Sequence, residues 1–300
     1  MDTSTFKEFL KEKRENLSNS SINTYSSILR SLYKKVFGDG LIEPKKFDQT
    51  KTIINHLQDM PSNKRKTILS ALVIVSGKKE YRDLMMNDIN EYKKDMSKQE
   101  KSEAQEENWL TQDEIQAKLK ELAKIAAPLM MKEPSSLSNA EIQKVQNYII
   151  LALLSGVFIN VRRSKDYVDF KIRNVDEDKD NYISKDFKNL VFNSYKTSKA
   201  YGKQSIKLPT KLRNILKKWI QINSSDYLLI DSTGNPLGGP DKSSNGSVKL
   251  NQRLQKIFGK KSGVNILRHS ILTSKYKDVA EDMKEMGSST SQLVNYVKKD

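Results

Sequence analysis

The sequence predicts a mainly α-helical protein with a small antiparallel β-sheet, in two parts joined by a polar linker. Three observations predict it. Apolar residues recur at helical spacing through residues 1–95 and again through most of 109–300; strand-like runs occur only between 180 and 208; and 96–108, "MSKQEKSEAQEEN", is almost free of large apolar groups.

In the first part, Phe6, Phe9 and Leu10 open an amphipathic helix. "SSINTYSSILRSLYKKVFG" then places Ile22, Tyr25, Ile28, Leu29, Leu32, Tyr33 and Val36 on one face, behind serine caps and before Gly38. "TIINHLQDM" and "KRKTILSALVIVSG" add two helices separated by Pro61, with their basic residues off the apolar stripe; His56 reads as an ordinary surface or boundary residue. After the linker, Thr111 with Glu114 and Ser138 with Glu141 form capping boxes that open two helices. The second, "SNAEIQKVQNYIILALLSG", is apolar enough to be the buried centre of the larger part. "NYIS", "NLVFNSY" and "QSIKLP" read as short strands, the last two joined by the polar segment "KTSKAYGK". Helices resume at "TKLRNILKKWI" and continue beyond the Gly/Pro/Ser-rich loop 231–247.

Composition narrows the function. No cysteine is present, which excludes disulfides, cysteine-ligated zinc and thiol catalysis, and with only two histidines a transition-metal enzyme is not expected. No apolar run approaches a bilayer-spanning length and "MDTSTFKEFLKEKRENL" carries helix periodicity instead of a signal-peptide core, so a soluble, intracellular protein is expected. The formal net charge is +16, from 53 Lys and Arg against 37 Asp and Glu. Lysine-rich coding bias also makes proteins basic, but an excess this large favours a polyanion, because each phosphate neutralised releases condensed counterions. Double-stranded DNA leads; a membrane does not, since no basic amphipathic helix or lipidation signal is evident.

Four polar signals in the second part carry chemistry: Arg163 in "NVRRSKDYVDFKIRNVD", Lys196 in the hairpin, Arg268 in "NILRHS" and Tyr296 in "SSTSQLVNYVKKD". Each alone has a plainer reading. Tyr296 would pack a terminal helix with Leu293, and Lys196 and Lys199 would be solvated hairpin charges.

In that order, however, they resemble the tyrosine recombinase, or phage-type integrase, family over nearly the whole chain. "NTYSSILRSL" is similar to the "T-Y-x-x-x-L" helix of the family's N-terminal domain, and "LTQDE" to the "LTxxE" that often opens its catalytic domain. "SGVFINVRRSKDY" resembles "TGxRxxEL" with extra residues after the glycine; Asp166 and Tyr167 in the Glu-Leu place point to Arg163 over Arg162. "NILRHS" matches "HxLRH[ST]" at Arg268, His269 and Ser270, and "MGSSTSQLVNY" resembles "LGHSSxxxTxxxY". "RRSKDY", "YKTSKAYG" and "LRHSILTSKY" look most like integrases of large DNA viruses, virophages and related mobile elements. Two positions depart: Asn265 stands for a histidine, and Ser288 stands where a later histidine or tryptophan belongs.

The resemblance implies a helical, SAM-like core-binding domain and a catalytic domain of the DNA breaking-rejoining fold. It also implies attack of Tyr296 on a phosphodiester, with Arg163 and Arg268 on the scissile phosphate. Arginine suits that role because its planar fork stays charged and binds two oxygens. Lys196, or alternatively Lys199, would protonate the departing 5′-oxygen. Asn265 would donate a hydrogen bond to a phosphate oxygen, with Ser288 in a similar role and His269 as a supporting hydrogen-bonding residue. Arg162, Lys165 and Lys203 would position the DNA backbone. No cofactor, metal or ATP is expected, and the missing histidines predict a flat pH dependence near neutrality. A homo-oligomer, a tetramer on DNA, is expected; only four residues follow Tyr296, so its assembly would use a surface other than a long C-terminal helix. The alternatives are a type IB topoisomerase-like enzyme and a catalytically weakened, integrase-derived DNA-binding protein.

Overall fold

In the computed structural model, residues 1–239 and 245–287 are described. The chain divides into two compact units, Met1–Lys101 and Ser102–Asp300.

The first unit is helical throughout because its apolar residues fall at helical spacing and its helix ends are chemically marked. Asp2 accepts from Thr5 N to cap α1 (Thr3–Lys13), and Ser18 accepts from Ser21 N to cap α2 (Asn19–Phe37). Two further helices follow, α3 (Thr50–Leu57) and α4 (Ser62–Ser76). Phe6, Leu10, Leu29, Leu32, Phe47, Ile53, Leu57, Leu69 and Leu72 form the core. The sequence did not signal α5 (Lys79–Ser97), a strongly polar helix that buries only Tyr81 and Asp88 completely. Arg65 pins it to α4 with a bidentate pair, Nε to Asp88 Oδ2 at 2.9 Å and Nη2 to Oδ1 at 2.7 Å. Tyr81 donates to the Phe47 carbonyl at 2.8 Å.

In the expected linker 96–108, α5 continues to Ser97 and a short helix, α6 (Glu103–Glu107), begins at a capping box made by Ser102 and Gln105. Asn108 is then held inside the second unit. Its carbonyl accepts from Ser262 Oγ at 2.9 Å and its Oδ1 from Lys261 N at 2.8 Å. Capping and these bonds replace the apolar contacts that the segment lacks.

The second unit is built around α8 (Asn139–Leu154), whose residues from Tyr148 to Leu154 are all buried; α7 (Gln112–Leu129) packs on it. Both start at the expected capping boxes. After the short α9 (Ser164–Val168) come the strands β1 (Tyr182–Ile183), β2 (Asn189–Phe192) and β3 (Gln204–Lys207). They form one antiparallel sheet in the order β1-β2-β3, with Tyr182 opposite Val191 and Leu190 opposite Ile206. The β2–β3 connection includes a helical turn, α10 (Ser198–Tyr201). Trp219 on α11 (Thr210–Ile222) is fully buried and donates to the Leu228 carbonyl at 2.9 Å. Arg173 satisfies the end of α11, donating to the carbonyls of Ile220, Asn223 and Ser225.

Two glycines let helices approach closely, one placing α9 and the other α13 (Val264–Glu285). A Cβ on Gly246, the first residue of α12 (Gly246–Phe258), would lie 2.2 Å from Val168 Cγ1. Gly156 follows α8 at φ +74°, and a Cβ there would meet Ile271 of α13 at 2.9 Å.

Candidate functional site

A cleft of about 360 Å³ in the second unit is lined by Arg162, Arg163, Asp166, Tyr195, Thr197, Tyr201 and Arg268, among others. Three arginines face one carboxylate. Sequence-distant segments meet here: the residues leading into α9, the turn after β2, and the first part of α13.

The adjacent arginines differ in what they touch. Arg162 Nε donates to Asp166 Oδ2 at 2.8 Å and its Nη1 to Gln204 Oε1 at 2.7 Å. Its guanidinium also lies over the rings of Phe192, at 3.9 Å, and Tyr195, at 4.9 Å. Expected to position DNA, Arg162 is thus engaged within the fold, with 14% of its side chain exposed. Arg163, the residue before α9, is half-buried, and its guanidinium has no hydrogen bond or ion pair among the described residues.

Arg268 is also half-buried, and its Nε has no partner among the described residues. Burial, then the neighbouring Arg163 charge, push its guanidinium down from the ordinary arginine value, while Asp166 pulls it back up. Asp166 is 2% exposed; burial pushes its carboxyl above the ordinary range, although the Arg162 guanidinium opposes this. Its Oδ1 lacks a partner among the described residues. The cleft therefore holds an excess of half-buried positive charge, which an anion with several oxygens would neutralise.

The other expected residues are dispersed around this centre. Lys196 is exposed, and its neighbours Tyr195 and Thr197 both line the arginine cleft. Lys199 and Lys203, also exposed, line a second cleft with Asp178 and Asn193. Lys203 Nζ lies 3.4 Å from the Glu177 carbonyl. Lys165 is exposed on α9. Asn265 and His269 are exposed on α13; His269 makes no hydrogen bond among the described residues, and Ser270 is buried beside it. Ser288 and Tyr296 lie outside the described residues.

Sequence reasoning missed Asp166 as an ion-pair partner, although its i,i+4 spacing from Arg162 is a readable signal. It also missed Asn181 and Gln204, which reach the site from 15 and 42 residues along the chain and carry no local signal. Among the described residues no group of His, Asp and Glu has the arrangement of a metal site, and no helix is long and apolar enough to cross a membrane.

No family model matches the chain, and no curated protein matches it either. Among solved structures, the crystal structure of XerA recombinase is similar over 92% of this chain and 84% of that one, at 15% sequence identity and a TM-score of 0.35. The functional reading accordingly rests on the residues of the cleft and the motifs that contain them.

Proposed function

We propose that this chain is a DNA strand transferase of the tyrosine recombinase type, which cuts and rejoins DNA to integrate or excise a mobile or viral element. The observation that carries the reading is the pair Arg163 and Arg268. Both guanidiniums line one cleft with an excess of positive charge, and they come from the two sequence boxes that resemble the family's arginine motifs.

In this reading the scissile phosphate binds between Arg163 and Arg268, each offering charged donors to the oxygens that gain charge in the transition state. The Tyr296 hydroxyl oxygen forms a bond to phosphorus as the bond from phosphorus to the 5′-oxygen breaks. The tyrosine proton passes to solvent, and the departing oxygen takes a proton from Lys196, leaving a 3′-phosphotyrosyl bond and a free 5′-hydroxyl. Rejoining reverses these steps, so the bond energy is retained. Place supports Lys196 over Lys199, because the residues on either side of Lys196 line the arginine cleft whereas Lys199 lines the other one. Arg162 acts by holding Asp166, Gln204 and Tyr195, rather than by touching DNA. Lys165 and Lys203 are assigned to the DNA backbone, and Asn265 to a phosphate oxygen.

Asn265 in the histidine position favours one second reading, a DNA-binding derivative of an integrase with weakened chemistry. Covalent capture separates the two. Incubated with a pool of randomised nicked duplexes in which cleavage releases a short fragment, the protein is expected to give a denaturation-resistant adduct that Tyr296→Phe abolishes. Tight binding with no adduct from any duplex would support the second reading.

A further inference from the structure

We propose that Asn181 is a positioning residue for proton delivery: it fixes the turn that carries Lys196 to the segment that carries the cleft arginines. This rests on the reading of Lys196 as the leaving-group acid.

Asn181 immediately precedes β1 and is 5% exposed. Its Nδ2 donates to the Asp166 carbonyl at 3.0 Å and to the Ser194 carbonyl at 2.8 Å. Its Oδ1 accepts from Asn193 N at 2.9 Å and Ser194 N at 2.8 Å. A carboxamide has two N–H donors and two acceptor lone pairs, so these contacts use its whole capacity. Aspartate would keep the acceptors and lose both donors; leucine, of similar size, would lose everything.

The location gives these bonds their consequence. The β1–β2 ladder pairs Tyr182 with Val191, and β2 ends at Phe192. The backbone groups of Asn193 and Ser194 that lie beyond the ladder are met by the Asn181 side chain instead. The same amide reaches the carbonyl of Asp166, whose own side chain holds Arg162. One side chain therefore joins α9, which Arg163 immediately precedes, to a turn whose next two residues are Tyr195 and Lys196. The far side of that turn closes on itself, as Tyr195 Oη donates to the Gly202 carbonyl at 2.7 Å. Without Asn181, the turn would keep this internal closure, the Arg162 contact with Tyr195 and the bonds from Asn193 Nδ2 to the Glu177 and Asp180 carbonyls, and lose its backbone tie to α9.

A general acid must lie within hydrogen-bond reach of the leaving oxygen, so a loosened turn would impair proton delivery while the arginines still bound phosphate. That defect depends on the leaving group. A sulfur in the bridging 5′ position departs as a thiolate and needs no proton. The test uses a duplex recovered by covalent capture, made with either a 5′-bridging oxygen or a 5′-bridging sulfur at the cleavage site. Single-turnover cleavage is measured for the parent protein, Lys196→Ala, Asn181→Ala and Asn181→Ser, with DNA affinity and melting temperature alongside. Asn181→Ser keeps one donor and two acceptor lone pairs on a shorter side chain and gives a second, milder variant should the alanine form fold poorly.

On the oxygen substrate, Lys196→Ala is expected to be slower by about 100-fold, and Asn181→Ala by about 10- to 100-fold, with Asn181→Ser between Asn181→Ala and the parent. On the sulfur substrate all three should approach the parent rate, with the DNA affinity of the Asn181 variants unchanged. Equal slowing of the Asn181 variants on both substrates, while sulfur rescues Lys196→Ala, would overturn the inference and leave the Lys196 reading standing. Parent-like cleavage of the oxygen substrate by Asn181→Ala would do the same. Failure of sulfur to rescue Lys196→Ala would refute the underlying assignment, and the role of Asn181 with it.

Discussion

Arg162 and Arg163 are neighbours in sequence with opposite surroundings, and substitution should separate them. Arg162→Ala would leave the Asp166 carboxylate buried without its partner, and is expected to destabilise the second unit by about 3–5 kcal/mol. Arg163→Ala removes no hydrogen bond or ion pair made among the described residues and should change stability by no more than about 0.5 kcal/mol. It should instead lose strand cleavage. Urea unfolding of both variants, with adduct formation alongside, checks this, and the reverse pattern would exchange their roles. The motif at 161–167 was legible enough to favour Arg163, and the structure supplies a physical difference between the two arginines. The partners of Arg162 were only half legible. Asp166 lies one helical turn away, whereas Gln204 meets it only after the chain has built a sheet.

The helices around the cleft give two tests at the level of elements. Gly156→Ala would place a Cβ against Ile271 and demand a positive φ of a non-glycine residue, at a cost of about 1–3 kcal/mol. Gly259→Ala meets the same backbone demand at φ +66° with nothing within 4 Å, so it is expected to cost only about 1 kcal/mol. The difference in melting temperature between the two variants reports the close packing that sets α13, and with it Arg268. Acid stability tests the start of α8. Lys132, at 2.7 Å, and Ser138 hold the Glu141 carboxyl down to about 2 from an ordinary value of 4.5. Because the folded value is the lower one, this stabilisation is fully present above the ordinary value and is lost as pH falls from about 4.5 towards 2. Glu141→Gln should flatten that limb of a melting-temperature profile; an unchanged limb would mean that the cap does not govern it. Most elements were visible in the sequence because periodicity and capping boxes mark them. The helix α5 was not, since its short apolar stripe, Tyr81, Leu84 and Met85, is completed by a charged residue, Asp88, and α10 was not, since four residues are too few to show a period.

For the whole molecule, the net charge of +16 favours a polyanionic partner, and the proposed binding of DNA predicts a salt response set by the number of phosphates neutralised. The logarithm of affinity should fall linearly with the logarithm of salt concentration, and Arg163→Ala should reduce that slope by about 1. A salt-independent affinity would contradict the phosphate role. The mainly helical class with a three-stranded antiparallel sheet was legible from the switch between helical and strand-like patterning. The two compact units divide at Lys101 and Ser102, inside the charged segment 96–108, where polar helices run in from both sides. That residues 163 and 268 line one cleft was legible only through the resemblance of their motifs, since nothing local to either says that they meet. Mass spectrometry of the nuclease-trimmed adduct identifies the nucleophile. A nucleotide linked through a 3′-phosphate to Tyr296 is expected; attachment at another residue, or no adduct with any duplex tested, would rule out Tyr296 as the nucleophile.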